Sequence, residues 1–172
     1  MDAIRIARGF TGRDTIMKIF GSYHGHHDYV MVSIGIPYDK IGDRENYASL
    51  PYGAGIPESV AQMTVPVPFN DAEAMERRIE RLIKEDRKPA CVIMEAAMMN
   101  LGVVLPEPGY LEAVREITRK HGKIASTVCG RDQIKDYADM GYNLLSVGAD
   151  VVALAQYADA SMEAFDKQLG TA

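Results

Sequence analysis

Short apolar runs, each followed by a helix-length amphipathic segment, constrain this chain more than any other feature. Pro89-Ala-Cys-Val-Ile-Met94 is continuously apolar, without alternation. That is the pattern of a strand covered on both faces in a parallel sheet. Thr15-Ile-Met-Lys-Ile-Phe20, residues 124–128 and Leu144-Leu-Ser-Val147 also read as strands. The segments between them have helical spacing. Asn70 reads as an N-cap with Glu73 three residues on, and Met75, Ile79, Leu82 and Ile83 then share one face. Pro108 opens a second helix with Leu111, Val114 and Ile117 inward and Gly122 as its terminator. Further helices are expected over residues 132–140 and 151–169. Strands alternating with helices imply βαβ units and right-handed crossovers. The expected fold is α/β: three layers, α/β/α, around a mostly parallel sheet of about five strands. A single domain is expected over residues 1–172, with strand 89–94 central and strand 124–128 beside it.

Three stretches depart from this rhythm. Residues 2–8 form a short helix broken at Gly9 and again at residues 11–14. Residues 35–57 carry glycine, proline and tyrosine without periodicity and read as a long loop. Met63-Thr-Val-Pro-Val-Pro-Phe69 is extended, but its two prolines remove ladder donors and place it at an edge.

Composition narrows the function classes. A net charge of -5 opposes a nucleic-acid surface, which wants clustered Lys and Arg. No apolar run reaches the roughly 18 residues of a membrane span. The first ten residues, MDAIRIARGF, lack a signal-peptide apolar core. Cys91 and Cys129 lie in apolar, strand-like runs with no second cysteine at metal spacing, so a reduced, cytoplasmic chain is expected.

Several motifs, in order, carry a family resemblance. Residues 3–14, Ala-Ile-Arg-Ile-Ala-Arg-Gly-Phe-Thr-Gly-Arg-Asp, are followed by Tyr23-His-Gly-His-His-Asp28, Gly55-Ile-Pro-Glu58 and Pro68-Phe-Asn-Asp71. Ile93-Met-Glu95 then precedes Asn100-Leu-Gly-Val-Val-Leu-Pro-Glu-Pro-Gly-Tyr-Leu111. Residues 1–122 thereby resemble part of the large domain of the class III pyridoxal-phosphate aminotransferases, and within them the glutamate-1-semialdehyde aminomutase branch. Residues 123–172 depart from that pattern. Tyr137-Ala-Asp-Met-Gly-Tyr-Asn-Leu-Leu-Ser-Val-Gly-Ala-Asp150 instead resembles the last βα units of the HpcH/HpaI-type aldolase barrel. The chain reads as a chimera of two α/β pieces joined near Gly122, as an aminotransferase-like part over 1–122 and an aldolase-like βαβα part over 123–172.

The resemblance implies pyridoxal phosphate as cofactor and four cofactor-facing positions. Tyr23 matches the ring-stacking tyrosine, with His24 beside it. Asn100 matches the asparagine that hydrogen-bonds the ring oxygen, and Glu95 faces the site from a strand end. Read from the residues alone, Tyr23 is equally a half-buried tyrosine, Asn100 a turn residue before Gly102, and Glu95 a solvated strand end. Ala96, Ala97, Met98 and Met99 stand where the family has proline and small residues, and the two methionines are expected to crowd or reshape the pocket floor. The family's phosphate loop, pyridinium aspartate and Schiff-base lysine are not matched in this sequence, and Lys18, Lys123 and Lys135 lack the lysine's usual surroundings. No catalytic residue is assigned, and catalysis by the chain alone is expected to be incomplete. The alternatives are a non-catalytic structural chimera, or a remnant of a carbon–carbon lyase of the aldolase type. An active enzyme would need a second chain to supply the missing parts. His24, His26 and His27 lack an acidic or cysteine ligand at defined spacing, so no metal is assigned. Asp150 reads as the N-cap of the last helix. Exposed apolar surface predicts self-association.

Overall fold

The computed structural model describes residues 1–170. They cluster into two compact units, residues 1–114 and residues 115 onward.

The first unit is built on three parallel strands, β1 (Ile16–Ile19), β4 (Thr64–Val67) and β5 (Cys91–Ile93), in the order β4-β1-β5. β1, not residues 89–94, is central. All four of its residues are buried, and it is paired on both sides, Ile16 with Thr64 and with Cys91. β5 is only half buried and lies at an edge, a correction to its expected central place. An apolar run reports burial but not which neighbours it pairs with, and three residues offer a short ladder. β4 lies at the other edge, as its prolines predict: Pro66 stands opposite Lys18.

Helix α1 (Asp2–Thr11) runs through Gly9 and ends at Gly12, in the left-handed region at φ 65°. Ile4 of α1 packs with Ile16 and Val30. The expected loop 35–57 holds a 3-10 turn (Tyr38–Lys40) and a small hairpin, β2 (Gly42–Asp43) with β3 (Asn46–Tyr47). A one-turn helix, α2 (Glu58–Ala61), follows.

Helix α3 (Ala72–Lys84) buries Met75, Ile79 and Leu82 as its periodicity predicts, whereas Ile83 is 38% exposed. Its cap is Asp71, not Asn70: Asp71 Oδ1 accepts from Ala74 N at 2.9 Å. Asn70 sits at φ 57°, and its side chain is taken by a distant segment. Asn70 Nδ2 donates to Leu105 O (3.1 Å), and Oδ1 accepts from Glu107 N (3.0 Å). Asp71→Ala should therefore cost about 1 kcal/mol of stability in denaturant unfolding. Asn70→Ala should instead loosen residues 105–107, read as faster amide exchange there.

Helix α4 (Tyr110–Lys120) follows and buries Ile117. Gly122, at φ 62°, closes it. In the second unit β6 (Ser126–Cys129), α5 (Ile134–Asp139), β7 (Leu144–Val147) and α6 (Asp150–Leu169) form a βαβα sequence. β6 and β7 pair in parallel with each other, Ser126 opposite Leu144. They make a separate two-stranded sheet instead of extending the first one beside β5. The expected packing of α6 onto the sheet is also absent: Leu154, Met162 and Phe165 are 69%, 59% and 54% exposed. A helix of 20 residues is about 30 Å long and outruns strands of four residues. The N-cap of α6 is Ala149, with Asp150 as its first residue.

Candidate functional site

In a parallel sheet the C-terminal strand ends form the natural ligand crevice. Beyond β1 the chain turns through Gly21, in the left-handed region at φ 78°, into Ser22, Tyr23 and His24. Beyond β5 it passes Glu95 into a tight turn, closed by the pair Met98 N to Val104 O (2.9 Å) and Val104 N to Met98 O (3.0 Å). Leu101, at the tip of that turn, lies directly against Gly21. This contact sets the Asn100 turn beside the Ser22–Tyr23–His24 turn. Met98 is buried and Met99 is 61% exposed.

Within this region Ser22 is fully buried, and its hydroxyl donates to Ile19 O at 2.7 Å. Its one proton thus spent, Ser22 Oγ accepts from His24 Nε2–H at 3.0 Å. The remaining nitrogen, Nδ1, is left to accept. Burial, then the charges of Lys18 and His27, lower the His24 pKa to about 4, so the ring is neutral at pH 7. Tyr23 is 39% exposed and offers its ring to solvent. Asn100 Nδ2 donates to Glu95 Oε1 at 3.4 Å, while Glu95 Oε2 is buried without a hydrogen-bond partner. An unsatisfied buried carboxylate oxygen costs about 1–3 kcal/mol, so the geometry favours a donor arriving there.

Lys18 is a site residue that sequence reasoning weighed only as a Schiff-base candidate. It is wholly buried in the central strand, and its ammonium donates to Val32 O at 2.8 Å. Burial lowers its pKa to about 8, partly offset by the Glu95 carboxylate. With no accessible surface it cannot meet a carbonyl arriving from solvent. Its only sequence signal is a lysine in the middle of an apolar strand. His26 is exposed, whereas both ring nitrogens of His27 are buried without partners. Among the described residues no three His, Cys, Asp or Glu side chains gather closely enough to hold a metal. No helix among them is long and apolar enough to cross a membrane.

The turns beyond β1 and β5 thus carry an aromatic ring, a neutral imidazole, an amide and a carboxylate. This arrangement of residues fits pyridoxal phosphate. Known proteins point the same way. Residues 1–125 match the family Aminotransferase class-III. The glutamate-1-semialdehyde 2,1-aminomutase of Syntrophus aciditrophicus (strain SB) is 47% identical over 122 residues, 71% of this chain and 26% of that protein. The enzyme of the same name from Methanothrix thermoacetophila is 48% identical over 121 residues, 70% of this chain and 25% of that protein. This chain spans about a quarter of the length of these relatives. An omega-transaminase from Sphaerobacter thermophilus superposes with a TM-score of 0.67 at 31% identity, covering 86% of this chain and 34% of that one. A glutamate-1-semialdehyde-aminomutase from Pseudomonas aeruginosa PAO1 in complex with PMP shares the fold, with a TM-score of 0.62 at 24% identity over 86% of this chain and 31% of that one. Pyridoxal phosphate is the cofactor of this family. With residues 1–125 matched and the parallel α/β sheet shared, the chain belongs to the class-III aminotransferases.

Proposed function

We propose that residues 1–122 form the ring-facing wall of a pyridoxal-phosphate site of the glutamate-1-semialdehyde aminomutase kind. The observation that supports this reading is the packing of Leu101 on Gly21, which joins the turn carrying Asn100 to the turn carrying Tyr23 and His24. Pyridoxal phosphate supplies an electron sink for carbanion chemistry at an amino carbon. Tyr23 would lie on its ring, Asn100 and Glu95 would take polar groups at its edge, and neutral His24 would accept a proton through Nδ1. Lys18 takes no part as a nucleophile, because it is buried and held by Val32 O.

The 172 residues are proposed to bind the cofactor weakly and reversibly and to lack amino-group transfer on their own. Lys18, Lys123 and Lys135 lack the sequence surroundings of the family's Schiff-base lysine, which supports this reading. For residues 123–172 we propose a grafted βαβα unit resembling the end of an aldolase barrel. The parallel pairing of β6 with β7 across α5 supports the βαβα part of that reading. Its exposed Val128, Leu144 and Leu154 support self-association in solution.

Titration of the chain with pyridoxal phosphate, followed by absorbance, tests the site. The expected outcome is a reversible spectral change that borohydride does not make permanent. Tyr23→Ala should weaken binding about fivefold, from roughly 1 kcal/mol of ring contact. Equal binding by Tyr23→Ala would remove the stacking role, and a borohydride-fixed adduct would show a competent lysine.

A further inference from the structure

We propose that the cleft between β3 and α3 binds a small monocarboxylate, at a site separate from the cofactor-facing turns. The cleft has a volume of about 410 Å³, and its lining includes Tyr47, Ser49, Gln62, Arg78, Glu85 and Arg87. Small-molecule sites run from roughly 300 to 1,000 Å³. Its walls are held in place by ion pairs. Glu45 beside β3 takes Arg77 of α3 at 2.7 Å, and Arg44 takes Asp71 at 2.9 Å.

Those pairs engage Arg44 and Arg77 and leave Arg78. Arg78 Nε is closed off from solvent without a hydrogen-bond partner. Burial and the nearby Arg81 and Arg87 charges act together against its cation, with Glu85 and Asp43 opposing them. Arg87 uses Nη2 on Gln62 O at 2.8 Å, which keeps its guanidinium at the cleft wall. The lining therefore carries two guanidinium groups against the single carboxylate of Glu85. One further carboxylate would balance it, and its two oxygens match the planar guanidinium fork. A phosphate dianion would overshoot that balance and face Glu85. The hydroxyls of Tyr47 and Ser49 suit a carboxylate whose neighbouring carbon carries a polar group.

Lactate and inorganic phosphate are titrated separately into the 172-residue chain, with binding read from the amide resonances of Ser49 and Gln62. Saturable lactate shifts at both residues, tighter than phosphate, are expected. Arg78→Met should weaken lactate binding by roughly tenfold with an unchanged circular dichroism spectrum. Arg78→Lys, which keeps the charge but loses the fork, should weaken it severalfold, and it carries the test if Arg78→Met fails to fold. No saturation by lactate, tighter binding of phosphate, or undiminished lactate affinity in the folded Arg78 variant would overturn the proposal.

Discussion

Raising the pH from 8 to 10 should stabilise the chain by about 2 kcal/mol through Lys18 alone, and Lys18→Met should abolish that rise. The folded-state pKa of Lys18 lies at about 8 against an ordinary 10.5, because burial disfavours its charge. Between those values the unfolded chain holds the proton and the folded chain has released it. Unfolding therefore takes up a proton, and stability climbs with pH across that window. Below pH 8 both states are charged and the penalty of burying the cation is constant. Above pH 10 Tyr110 acts in the opposite direction. Burial raises its pKa to about 12, so the unfolded chain loses that proton first and stability falls. Urea unfolding of both proteins at pH 8, 9 and 10 measures the difference, and the remaining titrations are common to both. Parallel pH profiles would mean that Lys18 keeps its proton in the folded state. The same variant leaves Val32 O without its donor. Amide exchange around Val32 should therefore quicken even where global stability is unchanged.

Gly21→Val should destabilise the chain by about 2–3 kcal/mol and weaken pyridoxal-phosphate binding in the surviving folded protein. Gly21 has φ 78°, a conformation that a β-branched side chain adopts only under strain. An added Cβ would also overlap Leu101 Cδ1. Leu101 is 53% exposed and can swing aside, so the overlap costs less than a clash with backbone would. Its displacement nonetheless disturbs the contact between the Leu101 turn and the turn that carries Tyr23. Gly21→Ala should cost about 1 kcal/mol, from the backbone conformation and a smaller overlap. A double-mutant cycle with Leu101→Ala separates the two causes: the overlap is relieved in the pair and the backbone strain is not. If Gly21→Val is neutral, the turn has another accessible conformation, and the cofactor reading loses its geometric basis.

Much of the local structure was legible because its causes are local. The stripe Met75, Ile79 and Leu82 specifies a helix with one buried face, and those side chains are buried. Two prolines put residues 64–67 at a sheet edge, since a residue without an N–H cannot donate to a ladder. The run of family motifs from Tyr23 to Leu111 marked the aminotransferase class, which the match over residues 1–125 establishes.

Other features depended on partners far along the chain. Asn70 and Asp71 are both good caps, and the choice fell to Asp71 because residues 105 and 107 engage the Asn70 side chain. β1 and β5 are both apolar runs. The central place went to β1 because β4 and β5 both found it, and a lysine within it could reach Val32 O. β6 paired with β7, a partner that an apolar run alone does not name.

By itself, then, the sequence determined the longer helices, the strands outside the β2–β3 hairpin, the parallel α/β class and the family, since each rests on periodicity, turn chemistry or a contiguous motif. Tertiary structure alone decided the strand order, the cap of α3, the burial of Lys18 and the packing of Leu101 against Gly21. Each of these depends on which distant backbone groups and side chains satisfy one another, a choice that local propensity does not encode.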